Sequence, residues 1–296
     1  VKRSRGRQVP APVRLELELL FLVMLLPVMV QGTCLEMIRV QEVRAQEEQQ
    51  AKAAAEAKKA AEEAEAKRLE EEEAKKLKEA DSMPELSVEA GAAALYSVDD
   101  DLILYEKAGT DQEIPASTTK LMTALTVLNY CDPAEKLTAG EEITRISDQA
   151  SNAGLKVGTT GSVETFLGAM LIPSGNDAAY ALATYTGRKI LGNDSASVDE
   201  ALQAFLNAEK DLAAELNLEN SNFLTPDGDQ ADGQYSCARD MIRIARECLK
   251  NDTLKKLCGA KSYRGLFDNL DLTYKNTNEL IQPSSDYYYE EAIGMK

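Results

Sequence analysis

The sequence contains no histidine among its 296 residues. This absence excludes a Ser-His-Asp triad, a Cys-His dyad, an HExxH zinc site and any metal or haem held by histidine. Acid–base chemistry near neutral pH must therefore use Lys, Asp, Glu, Tyr or Cys, with pKa values that are moved by their surroundings. The sequence predicts neither a metal site nor a cofactor.

Positive charge is also scarce. The formal net charge is −17 at pH 7, of which residues 1–45 contribute +3, residues 46–81 contribute −4 and residues 82–296 contribute −16. Because phosphate binding requires a basic face, this distribution argues against a nucleic-acid partner. The few Lys and Arg residues within 82–296 are expected to have functional roles.

Residues 1–45 are typical of a signal peptide or an N-terminal membrane segment. Five Lys and Arg residues precede an apolar run at 19–30, which as a helix would reach roughly 18 Å, short of a bilayer core of about 30 Å. Val43-Arg44-Ala45 resembles a cleavage site, so we favour a secretory signal over an uncleaved anchor or a buried helix. Cys34 suggests lipid attachment, but the residues before it match that pattern poorly.

Residues 46–83 are predicted to form a charged helical stalk or linker. They consist mostly of Ala, Glu, Lys and Gln, with many Glu/Lys pairs three or four residues apart. Within residues 46–81 only Leu69 and Leu77 are large and apolar, so nothing indicates a coiled-coil seam.

A globular domain is predicted over residues 84–296. Residues 91–98 and 101–106 indicate two strands of a hairpin, and amphipathic helices follow at 118–129, 163–171, 177–186, 198–216 and 238–249. This order indicates an α+β layered fold. Cys248 and Cys258 could form a local disulfide, and buried free cysteines are an equally good interpretation.

The most informative stretch places Ser117 three residues before Lys120. A helix N-cap would explain the serine, but a capping box has Glu or Gln where Lys120 stands, and the helix dipole disfavours a cation there. A spacing of three puts the amine and the hydroxyl on one helical face. A serine beside a lysine that can lose its proton is a nucleophile–base pair that needs no histidine.

Two further motifs can supply polar groups to the same site. Ser174-Gly175-Asn176 is typical of a turn, but it also offers a hydroxyl for proton relay and an amide that can grip a peptide group. At the end of the chain, Gly294-Met295-Lys296 brings a cation that suits a carboxylate.

With these motifs, the sequence resembles the penicillin-binding serine D-alanyl-D-alanine carboxypeptidases over residues 90–296. The Ser-x-x-Lys and Ser-x-Asn motifs appear in the family's order, and the flanking segments 154–158, 215–223 and 235–241 are similar. Two features differ. Thr225-Pro226-Asp227-Gly228 stands where the family usually has Asn-Pro-His-Gly, and only Lys296 of a final Lys-Thr-Gly motif is present.

The resemblance implies a β-lactamase/transpeptidase-like α+β fold, with an antiparallel sheet flanked by a helical region. We expect the catalytic domain to be truncated, with its C-terminal strands missing from this chain. We also expect an extracytoplasmic protein, secreted or anchored in the membrane at the bacterial cell envelope through the N-terminal segment or a missing C-terminus.

The resemblance further implies removal of the terminal D-alanine of peptidoglycan stem peptides through an acyl-enzyme. In this scheme Lys120 takes the proton of Ser117, and Ser174 protonates the departing amine. Asn176 holds the acyl side and Lys296 attracts the terminal carboxylate. The oxyanion is held by the backbone N–H of Ser117 and by one from the missing strands. β-Lactam antibiotics would acylate the same serine as covalent inhibitors.

Other functions remain open at this point. A serine β-lactamase shares Ser-x-x-Lys, but class A members deacylate with a Glu in Glu-x-x-Leu-Asn, and Ala213 stands at that position here. Ser-Gly-Asn also replaces the Ser-Asp-Asn of that class. A transpeptidase-biased member of the same family is a second alternative. The third is a non-catalytic stalked cell-wall-binding protein in which Ser117 and Lys120 only cap a helix.

Overall fold

The computed structural model describes Lys52, residues 58–60, 67–68, 86–229 and 231–296. The chain divides into two units, Val1–Lys78 and Glu79–Lys296. The described residues of the first unit are exposed and helical. The predicted signal segment, with Cys34, and most of the predicted stalk lie outside the described residues, so the predicted domain bounds stay a prediction. Among the residues described, no helix is both long and apolar enough to cross a membrane.

The described residues of the second unit contain all five predicted helices and one more. We number the α-helices of its described residues in chain order: α1 Thr119–Tyr130, α2 Val163–Leu171, α3 Asn176–Leu191, α4 Val198–Glu215, α5 Ala238–Lys250 and α6 Asp252–Cys258. Helix α3 continues five residues beyond its predicted end, to a cap at Gly192 with φ 60°. Helix α4 begins at a capping box formed by Ser197 and Glu200.

The strands form antiparallel pairs. The predicted hairpin is present as β1 Ala93–Ser97 and β2 Leu102–Lys107. Two further pairs join β3 Lys136–Thr138 to β4 Thr160–Ser162, and β5 Ser262–Leu266 to β6 Asp271–Lys275. Within the described residues, the three pairs are separate two-stranded sheets. The last two pairs were not predicted. Strands β3 and β4 have three residues each and cannot show a period, whereas Asp271–Lys275 alternates polar and apolar residues, a signal that the prediction did not use.

The core lies among α1, α2, α3 and α4, and α3 packs against the other three. Its largest side chains are completely buried, among them Met122, Phe166, Leu182 and Phe205. Burying a side chain of this kind contributes about 1.5–3 kcal/mol. Gly187 permits the close approach of α3 to α4, because an added Cβ would overlap the carbonyl of Ala201. The first turns of α1 and α3 are buried in this core.

The described cysteines, Cys131, Cys237, Cys248 and Cys258, are buried and free. The disulfide considered between Cys248 and Cys258 is therefore not formed, and the interpretation as buried free cysteines agrees with the structure. Burial raises the pKa of the Cys258 thiol to about 11 and that of Cys248 further. Both thiols are therefore protonated at neutral pH, and a protonated thiol is a poor nucleophile.

Candidate active site

Ser117 lies in a 3₁₀ turn, Ala116–Thr118, that leads directly into α1. Ala116 has a φ of 46°, which is uncommon for a residue with a side chain and is found at strained functional turns. Within the described residues, no side chain caps this turn or the start of α1. The hydroxyl of Thr118 instead donates to the carbonyl of Pro115 at 2.5 Å. The half-buried Ser117 therefore does not serve as an N-cap.

Lys120 reaches back from the first turn of α1 to Ser117. Its Nζ lies 2.9 Å from Ser117 Oγ and donates to the backbone oxygen of Asp227 at 2.6 Å. The Lys120 side chain is 0% exposed. Burial lowers its pKa to about 8; the carboxylate of Asp227 opposes this shift and the positive charge of Lys296 adds to it. With that pKa, about a tenth of the molecules hold a neutral amine at pH 7.

The Ser174-Gly175-Asn176 motif forms the connection from α2 into α3. Ser174 has a φ of 67°, and both Ser174 and Asn176 are 6% exposed. The side-chain oxygen Oδ1 of Asn176 is buried and has no hydrogen-bond partner among the described residues. A buried amide oxygen without a donor is uncommon, and it can accept an N–H from a bound molecule.

Asp177, the next residue, holds the neighbouring loop against this motif. Its carboxylate accepts hydrogen bonds from the backbone N–H groups of Ala153 at 2.8 Å and Leu155 at 3.0 Å. The backbone N–H of Asn176 donates to Ser151 O at 2.8 Å. Sequence reasoning missed this role of Asp177, because an acidic residue in a first helical turn is common and does not indicate which loop it binds.

Lys296 follows a segment that packs against the end of α6. The side-chain amide of Asn278 donates to the Met295 carbonyl at 2.9 Å, and an added Cβ at Gly294 would overlap the carbonyl of Cys258. Burial lowers the pKa of Lys296 to about 8, and the Cys258 thiol opposes the shift. Because its charge also lowers the pKa of Lys120, Lys296 lies within electrostatic range of the serine–lysine pair.

The five residues predicted for the site therefore lie on segments that meet. Helix α1 packs against α3, and the pKa of Lys120 responds both to Asp177, which follows the second motif, and to Lys296. The roles assigned to Ser117, Lys120, Ser174, Asn176 and Lys296 stay a prediction. In the described part of the chain, no group of three or more Cys, Asp or Glu could hold a metal ion.

The 225–229 loop packs closely against the turn that carries Ser117. Gly228 has a φ of 79°, and an added Cβ would overlap the carbonyl of Ala116. Asp227 is 1% exposed, and its carboxylate Oδ1 accepts the backbone N–H of Asp229 at 3.1 Å. The sequence marked this loop only as a departure from the family pattern. It missed the contact with Lys120, because a backbone carbonyl leaves no signal in the residue types.

Comparison with protein families places these motifs in context. The family profile Peptidase_S11, described as D-alanyl-D-alanine carboxypeptidase, matches residues 77–289. D-alanyl-D-alanine carboxypeptidase DacF of Bacillus subtilis is 34% identical over 220 residues, which are 72% of this chain and 51% of the relative. The D-alanyl-D-alanine carboxypeptidase of Streptomyces sp. strain K15 is 32% identical, over 65% of this chain and 66% of the relative. The chain thus spans about half to two thirds of the length of these relatives.

Solved structures share the fold. The crystal structure of the Streptomyces K15 DD-transpeptidase superposes with a TM-score of 0.63 at 30% identity, covering 72% of this chain and 81% of that chain. A penicillin-binding protein homologue from Mycobacterium tuberculosis superposes with a TM-score of 0.60 at 24% identity, covering 72% of this chain and 74% of that one. The predicted α+β, transpeptidase-like fold is confirmed.

Proposed function

The chain belongs to the D-alanyl-D-alanine carboxypeptidase family, and we propose that the whole protein is a serine-type carboxypeptidase that removes the terminal D-alanine of peptidoglycan stem peptides. One observation carries this proposal: a completely buried lysine lies 2.9 Å from the hydroxyl of a half-buried serine, with its pKa lowered to about 8. In a chain without histidine, this pair supplies both a nucleophile and a base.

Acylation begins when the neutral amine of Lys120 takes the proton of Ser117. The serine oxygen attacks the carbonyl carbon between the two terminal D-alanines and forms a tetrahedral intermediate. The backbone N–H of Ser117 donates to the developing oxyanion, and such a donor is worth roughly 10²–10³ in rate. Burial favours this step, because it destabilises the ammonium form of Lys120 relative to the amine.

Departure of D-alanine needs a proton on its nitrogen. Ser174 donates its hydroxyl proton to the leaving amine and recovers one from the Lys120 ammonium. Asn176 accepts an N–H of the acyl side at its unpartnered Oδ1, and Lys296 attracts the terminal carboxylate. Water then hydrolyses the ester on Ser117. β-Lactams acylate the same oxygen and act as covalent inhibitors.

The location and organisation follow from the substrate. Stem peptides lie outside the cytoplasmic membrane, so we place the protein at the bacterial cell envelope. Residues 1–45 serve as its signal or membrane segment, residues 46–83 as a stalk, and residues 84–296 as the catalytic domain. Peptidoglycan is the macromolecular partner, and the formal net charge of −16 over residues 82–296 argues against nucleic acid.

A fluorescent penicillin tests this function. Full-length protein is incubated with the probe and examined by gel fluorescence, with Ser117→Ala as the test variant and exposed Ser195→Ala as its matched control. We expect a covalent label on the wild type and the control, and none on Ser117→Ala. D-Alanine release from a peptide ending in D-Ala-D-Ala is followed in parallel. Absence of label on folded protein contradicts the proposal.

The same reaction mixtures separate the alternatives. Slow loss of the label, together with D-alanine release, supports a carboxypeptidase. Rapid hydrolysis of the β-lactam favours a β-lactamase, and transfer of the acyl group to an added amine favours a transpeptidase. Folded protein that neither binds penicillin nor releases D-alanine is the outcome that the non-catalytic alternative requires.

A further inference from the structure

Glu209 is a completely buried carboxyl group that the proposed reaction does not use. It lies on the inner face of α4, with an exposed fraction of 0%. Its Oε1 is 3.1 Å from the hydroxyl oxygen of Thr123, and its Oε2 has no hydrogen-bond partner among the residues described. An ionised carboxylate with one oxygen unpartnered in a core is strongly unfavourable, because burial removes its hydration.

Counting hydrogens at Thr123 favours the protonated form of this carboxyl. The Thr123 hydroxyl oxygen lies 2.8 Å from the carbonyl oxygen of Pro226 and 3.1 Å from Glu209 Oε1. A threonine hydroxyl has one hydrogen, and a carbonyl oxygen can only accept. If Thr123 donates to Pro226, the second contact is a hydrogen bond only when Glu209 carries a proton and donates to Thr123. A neutral Glu209 therefore satisfies both contacts.

This chain of hydrogen bonds ends beside the serine–lysine pair. Thr123 follows Lys120 by three residues on α1, so their side chains share a face. Thr123 binds the carbonyl of Pro226, and Lys120 donates to the next carbonyl, that of Asp227, at 2.6 Å. Two successive carbonyls of the 225–229 loop are thus fastened to one helix. A movement of the first carbonyl displaces the second, which holds the Lys120 amine.

We propose that Glu209 is a positioning residue which, as a neutral acid, holds Thr123 on the Pro226 carbonyl and so keeps the Asp227 carbonyl under the Lys120 amine. Lys120 and Ser117 act on the substrate, whereas Glu209 acts through Thr123 and the loop. The inference rests on the proposed function for its effect on acylation. Its claim about the protonation of Glu209 is independent of that function.

The electrostatic surroundings agree with a neutral carboxyl. Burial raises the pKa of Glu209 to about 8; a Thr123 hydroxyl that donated to the carboxylate instead of to Pro226 would oppose this shift. The titratable groups on the adjoining elements include Lys120 on α1, Asp177 and Tyr180 on α3, and Asp227 and Asp229 in the loop. Burial raises the pKa of Tyr180 to about 12, and the two loop aspartates add to that shift. Below about pH 8 Lys120 is mainly protonated, but its charge is not among the causes that set the pKa of Glu209, which are burial and the contact with Thr123.

The protonation is tested by carbon NMR on the full-length protein with ¹³C-labelled glutamate carboxyls. The Glu209 signal is identified as the one absent from Glu209→Gln, with exposed Glu215→Gln as the control. We expect a midpoint near pH 8. A midpoint below about pH 6 overturns the proposal, whether or not the protein binds penicillin.

The effect on the reaction is tested by the rate constant of labelling with fluorescent penicillin from pH 6 to pH 10. A glutamine amide can donate to Thr123 at every pH, so Glu209→Gln should stay within about threefold of wild type at pH 7. Glu209→Leu should be slower by about 10–100-fold, because small displacements of catalytic groups are costly. Above pH 8 the wild-type rate should fall as Glu209 ionises, and that of Glu209→Gln should not.

A merely structural role is separated from this one by the labelled fraction. Loss of folded protein lowers the amount of label and leaves the rate constant of the remainder unchanged. If Glu209→Leu does not fold, Thr123→Val and Thr123→Ser replace it; only the serine keeps a hydroxyl, and only it should label at the wild-type rate. Wild-type rates in Glu209→Leu or Thr123→Val overturn the proposal. Absence of label on the folded wild type contradicts the proposed function. In that case the NMR midpoint still tests the claim that Glu209 is protonated.

Discussion

The first turns of α1 and α3 are two buried helix N-termini in the same core, and they carry opposite charges. Each follows a residue with positive φ, Ala116 before α1 and Ser174 before α3. Helix α3 has Asp177, which suits the helix dipole and accepts hydrogen bonds from the adjacent loop. Helix α1 has Lys120, which opposes the dipole and whose pKa is lowered to about 8. The favourable charge binds a loop, and the unfavourable one is suited to proton transfer.

The largest effect should come from making the charge on α1 permanent. Arginine cannot lose its proton near neutral pH, so Lys120→Arg should reduce the rate of penicillin acylation by at least about 10³-fold. The measurement is the rate constant of labelling, with circular dichroism to confirm folding and exposed Lys255→Arg as the control. Labelling of folded Lys120→Arg at the wild-type rate would remove Lys120 as the base.

Removing the charge on α3 should act on stability. Asp177→Ala deletes the acceptor of the Ala153 and Leu155 N–H groups, so we expect the free energy of unfolding to fall by about 2–4 kcal/mol. Urea unfolding measures it, and Asp177→Asn, which keeps one acceptor oxygen, should lose less. If Asp177→Ala keeps its stability and yet loses acylation, the contrast between the two helix ends is wrong.

The smallest effect is expected from removing the charge of Asp227, which lies outside α1 in the 225–229 loop. The Asp227 carboxylate raises the pKa of Lys120, so Asp227→Asn should lower that pKa and leave the backbone carbonyl in place. Acylation follows the neutral amine, so its rate rises with pH up to the pKa of Lys120, before the ionisation of Glu209 lowers it. The rising limb should therefore move to lower pH, with roughly two- to threefold faster labelling at pH 7. A move to higher pH would contradict this assignment.

Features of the structure that depend on local patterns could be predicted from the sequence, whereas features that depend on contacts between distant residues could not. Helix α2 was predicted to the residue, because its apolar periodicity is a local pattern. Strands β3 and β4 were missed, since three residues cannot show a period and their pairing joins positions more than twenty residues apart. The Ser117–Lys120 pair was predicted because both partners lie on one helical face.

The remainder of the site depends on contacts between distant segments. The loop that receives the Lys120 amine acts through the Asp227 backbone, and every residue type has a backbone carbonyl. Glu209 lies among the polar residues of an amphipathic helix, and only tertiary packing distinguishes it from the exposed Glu215. Its role became visible when the structure placed α1, α4 and the 225–229 loop together.

The unpartnered oxygen of Asn176 has a consequence for selectivity among small molecules. A compound that places an N–H at this position donates a hydrogen bond to Asn176 Oδ1. A compound of the same shape with an ester oxygen there places a second hydrogen-bond acceptor against Oδ1. Sites built to receive a donor reject such isosteres far more strongly than an apolar pocket rejects a missing methylene. The amide version of a ligand should therefore bind more tightly than its ester version, because of this single oxygen atom.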